Sequence, residues 1–134
     1  MNPNGETRST KARTVGYWIC TVLVGLSFLS GGIVDVLRVP QALEGMTQLG
    51  YPPYFMTILG VWKILGAIVV LLPGFALIKE WAYAGMIFDL TGASASHIAV
   101  GDDVAHIVTP LVLTGLVVAS WALRPVGRKL KQTT

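Results

Sequence analysis

A single cysteine, Cys20, and a charged fraction of only 13% set the first limits on this 134-residue chain. One thiol cannot close an intrachain disulfide, and the lack of a CxxC pair excludes self-contained thiol exchange. Soluble domains carry roughly 25% charged residues; half that leaves too few ionic side chains to cover a surface facing water. No HxxxH or HExxH spacing, no cofactor fingerprint and no recognisable nucleophile arrangement occurs. A subunit role is therefore expected ahead of a stand-alone enzyme. The net charge of +3 does not point to nucleic acid, because the basic residues are not interleaved with aromatics along a polar surface.

What the chain has instead is apolar length. Hydrophobic residues make up 53% and the mean hydropathy is +0.64. Four runs, about 15–35, 54–72, 80–99 and 104–123, approach the roughly 20 residues that cross a ~30 Å hydrocarbon core. A basic stretch ahead of the first run also suits a cleaved signal peptide, but no Ala-x-Ala-like site follows, and a retained span is the expectation. Between the first two runs, Pro40 suits a first helical position and Gly50 a stop. Ala42, Leu43, Met46 and Leu49 share one face there, which predicts a short helix lying in the membrane interface. Asp102 or Asp103 is placed to cap the last helix. The predicted fold is all-α: a four-helix transmembrane bundle with a short interfacial helix between helices 1 and 2. A flexible tail, 1–14, precedes the 15–124 bundle, and a basic tail, 125–134, follows it.

Eight of the ten Lys and Arg lie in the two tails, at Lys79 or at Arg124, where the bundle ends. Four spans bring both termini to one side, and the positive-inside rule makes that side the cytoplasm. The expected partner is the lipid bilayer, and a bundle this small leaves homo-oligomerisation open. Gly25, Ser30, Gly31 and Gly32 form a candidate close-packing face on the first span.

Lys63 and Asp89 interrupt the second and third runs. Each is nine residues from the start of its span, on antiparallel neighbours, hence about 13–14 Å from opposite faces at 1.5 Å per residue. The two should meet near mid-depth, because an unpaired charge there costs at least ~2.5 kcal/mol. Such a pair either locks helix register or serves a proton or substrate site.

A second group falls at the outer face: Asp35, His97, Asp102, Asp103 and His106 converge on one membrane level by the same arithmetic. Two imidazoles with carboxylates could ligate a metal, relay protons or hydrogen-bond a quinone carbonyl. The spacing lacks a metal motif, so no metal is expected. In the plainer reading the histidines are satisfied by nearby Ser, Thr or Asp, and Asp35 pairs with Arg38. On the third run Gly85, Asp89, Gly92 and Ser96 form one stripe beside Ala93 and His97. This predicts either a close-packed seam or the wall of a pocket, with Lys63 opposite and Trp62, Tyr51 or Tyr54 near the mouth.

The strings Leu49-Gly50-Tyr51-Pro52-Pro53-Tyr54, Ile58-Leu59-Gly60-Val61-Trp62-Lys63-Ile64-Leu65-Gly66, Lys79-Glu80-Trp81-Ala82-Tyr83-Ala84-Gly85 and Phe88-Asp89-Leu90-Thr91-Gly92, followed by Ser96-His97, resemble the DoxX-like family of small bacterial membrane proteins. The resemblance implies a four-helix bundle in the bacterial inner membrane. It also implies association with redox systems, since relatives are named after a membrane part of a thiosulfate:quinone oxidoreductase and others resemble partners of thiol and superoxide defence enzymes. It carries over no catalytic residue set. The leading expectation is a membrane subunit of a quinone- or thiol-related redox complex, binding partner enzymes and a quinone-like ligand near His97, His106 and Tyr51. No other cofactor is evident. The alternatives are a small transporter or proton pathway built on Lys63 and Asp89, and a non-catalytic scaffold.

Overall fold

The computed structural model describes residues 3–131. Five α-helices occur in it: α1 (Pro3–Val36), α2 (Pro40–Gln48), α3 (Pro53–Leu71), α4 (Ala76–Ala99) and α5 (Val104–Ala122), followed by a 3-10 turn at Val126–Arg128. No strand is present among the described residues. The breaks follow local chemistry. Pro40 and Pro53 open α2 and α3 at positions where a missing N–H is harmless. Gly50, Gly74 and Gly101 take positive φ at the ends of α2, α3 and α4, where a Cβ would be strained.

The four long helices pack as an antiparallel ring, α1 against α3 and α5, and α4 against α3 and α5. The most extensive seam is α1–α3. It closes on Gly32 and Gly60: a Cβ on either would lie 2.7–2.8 Å from the other's carbonyl oxygen, so the backbones touch. Gly25 meets Leu71 on the same seam, while Gly31 faces open space. Half of the expected close-packing face is thus used, and it serves an intramolecular contact.

Val24, Phe28, Ala67, Val70, Tyr83, Met86, Leu90 and Val117 form the core. A hydroxyl chain crosses it, with Thr21 Oγ1 2.6 Å from Ser120 Oγ and Tyr83 Oη 2.8 Å from the same atom. These groups satisfy one another, as buried hydroxyls must. Outside, Ile19, Leu23, Leu26, Ile58, Leu65, Val112 and Val118 are among many exposed apolar side chains. That inverted surface is stable only against lipid.

By length and apolarity, α1, α3 and α5 qualify to cross a membrane. Helix α4 is long enough at 24 residues but carries Lys79, Glu80, Asp89 and a Ser–His-rich end, which lower its apolarity. The predicted four-helix arrangement is present as packing, whereas three helices have spanning character by composition.

Two expectations change at the ends of the chain. Helix α1 begins at Pro3, so residues 3–14 of the segment expected as a flexible tail are helical, and the first two lie outside the described residues. Good helix formers there (Arg8, Lys11, Ala12, Arg13) continue the apolar helix without a break, and Arg13 donates to the Ala122 carbonyl at 2.9 Å. Lys79 and the basic residues near the C-terminus are also more than a topology signal. Lys79 is fully buried and donates to the Val69 and Leu72 carbonyls. Arg128 donates to Val70 O at 3.1 Å and to Tyr17 Oη at 3.2 Å, with its guanidinium 4.7 Å from the Trp18 ring. Two cations therefore cap the unpaired carbonyl end of α3, where the helix dipole is negative. Beside them Arg124 pairs with Glu80, which also accepts from Trp121 Nε1 at 2.9 Å.

Candidate functional site: an ionic triad beneath an apolar cavity

Helices α3 and α4 diverge on one side of the ring and leave a cavity of about 510 Å³. One wall is the α4 stripe anticipated from sequence: Gly85, Asp89, Gly92, Ala93 and Ser96. A Cβ on Gly85 or Gly92 would meet nothing within 4 Å. These glycines therefore do not seat a neighbouring helix; they widen the cavity. Phe55, Leu59, Trp62 and Lys63 from α3 form the facing wall, and Met46, Leu49 and Tyr51 close one end. Tyr51 Oη lies 2.7 Å from Ser96 Oγ, and its ring stacks on Phe55 with centroids 5.0 Å apart.

The polar part of this cavity is a triad. Lys63 Nζ donates to Asp35 Oδ2 at 2.8 Å and stands 4.0 Å from Asp89 Oδ2. The anticipated approach of Lys63 to Asp89 occurs, but Asp35 takes the direct bond. Asp35 therefore leaves the histidine group in which its depth had placed it. Depth along a helix says nothing about rotation, and the Gly32–Gly60 contact turns the end of α1 toward α3, setting Lys63 beside Gly32. Arg38, the other candidate partner for Asp35, donates instead to Thr57 Oγ1 at 3.1 Å. Two carboxylates thus share one ammonium. Asp35 is buried and accepts directly from Lys63, while Asp89 lines the cavity with its carboxylate less engaged. The Asp89 carboxylate therefore keeps acceptor capacity for a ligand in the cavity.

The histidines form a separate site at the α4–α5 turn. Asp102 binds both: Oδ2 lies 2.8 Å from His97 Nδ1 and Oδ1 lies 3.0 Å from His106 Nδ1. The His106 ring, the Asp103 backbone N–H and the His97 ring hold the Asp102 carboxyl well below the usual carboxylate range. Asp103 is exposed at the N-cap position of α5, but its side chain makes no cap bond. Asp102, not Asp103, is the carboxylate of this group. Tyr51 lines the α3–α4 cavity, as expected for the mouth of a pocket on the α4 stripe, and is joined to the histidines through Ser96, the neighbour of His97.

Sequence reasoning missed the Thr21–Ser120–Tyr83 chain and the Arg128–Lys79 cap. The first had a weak signal, polar residues inside apolar runs. The second had none, because a cation near a chain end looks the same whether it meets water or a helix terminus.

The comparisons with known proteins agree with the inverted surface. The chain is 37% identical to the uncharacterized protein YdgD of Bacillus subtilis (strain 168) over 49 residues, which is 37% of this chain and 43% of that protein. The aligned part thus spans less than half of that relative. No solved structure matches significantly. A family model described as the DoxX-like family matches residues 19–120, from the first membrane helix almost to the end of α5, and the chain belongs to that family.

Proposed function

We propose that this protein is a four-span subunit of a redox-linked complex in the bacterial cytoplasmic membrane, with both termini cytoplasmic, and that it holds a lipid-soluble quinone or quinol in the α3–α4 cavity. The construction of that cavity carries the reading. Its volume of about 510 Å³ suits a small organic ligand. Most of its lining is aromatic and aliphatic, with polarity confined to Lys63, Asp89 and the Tyr51–Ser96 pair. A quinone has an apolar tail, a flat ring and two carbonyls. The Lys63 ammonium would donate to one carbonyl, and Asp89 would accept from the hydroxyl of the reduced form. Electrons would pass to a partner subunit, since this chain offers no cofactor fingerprint of its own. The family resemblance to redox-associated membrane proteins supports the same choice.

Trp62 lines the cavity, so its fluorescence reports occupancy. Titration of the protein in nanodiscs with a short-chain quinone should quench Trp62 saturably, and a Trp62→Phe control should lose that component. Gly92→Phe should abolish saturation by filling open space without removing a charge. Linear quenching that Gly92→Phe leaves unchanged would refute ligand binding here.

A proton pathway is the second reading, favoured by the excess carboxylate of the triad. In that case proteoliposomes should show proton flux that Lys63→Met abolishes, with no dependence on quinone.

A further inference from the structure

The α4–α5 turn assembles three donors that no sequence motif announces. His97, Asp102 and His106 follow the spacing H-x4-D-x3-H, and Gly101, with φ of +68°, reverses the chain between them. One ligand atom from each lies within 4.8 Å of the other two. The imidazole centroids are 5.4 Å apart and tilted by 31°, and both present Nδ1 to the same carboxylate. We infer that these three residues form a binding site for a divalent transition-metal ion of the zinc and cobalt class, held by Nδ1 of His97, Nδ1 of His106 and the Asp102 carboxylate.

The donor chemistry favours this class. Imidazole with carboxylate suits zinc, cobalt or iron(II) rather than calcium or magnesium, which take oxygen alone. Zinc–ligand bonds of roughly 2.0–2.2 Å place neighbouring donors a little over 3 Å apart. The two Asp102–histidine separations of 2.8 and 3.0 Å need open by only a few tenths of an ångström, while the two imidazole donors, within 4.8 Å of each other, must draw together. The ion replaces the two hydrogen-bonded protons: each neutral ring carries its proton on Nε2 instead and turns its Nδ1 lone pair inward.

A second observation supplies the remaining shell. The polar face of α2 stands opposite, with Gln41, Glu44 and Gln48 sharing a cleft of about 590 Å³ with His97, Asp102 and His106. These α2 residues follow helical spacing, so the polarity of that face is directed at the histidines. Glu44 is exposed in that cleft and is its other carboxylate, a fourth ligand only if α2 brings it to the three donors that lie within 4.8 Å of one another. The open cleft gives the ion an entry path from water.

The test is Co²⁺ titration of the full chain in detergent micelles, purified without a histidine tag. The expected result is one ion per chain, intense visible absorption of four-coordinate cobalt, and displacement by Zn²⁺. His106→Ala and His97→Ala should each weaken binding about 10- to 100-fold. Because His106 is exposed, the first variant should keep the helical circular-dichroism spectrum and unfolding temperature. Glu44→Gln should shift the cobalt spectrum, whereas Gly92→Phe should leave it unchanged, separating this site from the quinone cavity. The inference fails if no saturable binding is found. It fails equally if the His97→Ala/His106→Ala double variant binds as the parent does, which would mean an adventitious surface ion only.

Discussion

Lys63 lies 2.8 Å from Asp35 and 4.0 Å from Asp89, so the two carboxylates should not be equivalent when removed. Asp35→Asn takes away the direct partner of the ammonium and should lower stability by about 1–3 kcal/mol. That is less than the 3–5 of a fully buried pair, because both partners keep some exposure. Asp89→Asn should cost less and act mainly on ligand or proton binding. Thermal unfolding in a fixed detergent checks the order; a larger loss for Asp89→Asn would mean that the longer contact dominates. Tyr83→Phe removes one member of the hydroxyl chain and should cost about 1 kcal/mol. Which ionic residues lie at mid-depth is legible in the sequence. Which carboxylate bonds to Lys63 is not, because that depends on the rotation of α1 about its axis.

Glycines that look alike in the sequence do opposite things in the helices. Gly32→Ala or Gly60→Ala would push a methyl group against a carbonyl oxygen at 2.7–2.8 Å. That contact is backbone and cannot yield cheaply, so a loss of about 1–3 kcal/mol is expected. Gly85→Ala and Gly92→Ala meet open space and should be neutral or stabilising by up to about 1 kcal/mol, the helix-propensity difference. Unfolding measurements on the four variants should separate into these two classes. At the carbonyl end of α3, Arg128→Ala should cost about 1–2 kcal/mol, since the guanidinium bonds Val70 O and stacks near Trp18. Arg128→Lys should recover little, having no planar fork; full recovery would mean that charge alone is required.

Over the whole molecule, the number of membrane crossings hinges on α4. Its length suffices and its polar stripe faces the cavity and the triad, so its charge need not meet lipid. If it crosses, a cysteine placed in the α4–α5 turn (Val100→Cys) lies outside and one placed after α5 (Gly127→Cys) lies inside; if it does not, the two sides are exchanged. In a Cys20→Ala background, an impermeant maleimide applied to intact cells should label the first and spare the second. Labelling of the second with the first spared would overturn the four-span proposal.

Composition and hydrophobic run length, which are properties of the chain alone, were enough to settle helical class, membrane character, the approximate limits of α3, α4 and α5 and the polar stripe of α4, though not the start of α1. Burial energy in lipid is set residue by residue and needs no neighbour to be read. The pairing of Asp35 with Lys63, the capping of α3 by Lys79 and Arg128, and the gathering of His97, Asp102 and His106 were decided only when the helices packed. Each depends on helix rotation and on close approach at Gly32 and Gly60 or reversal at Gly101, which are relations between segments and not properties of any one of them.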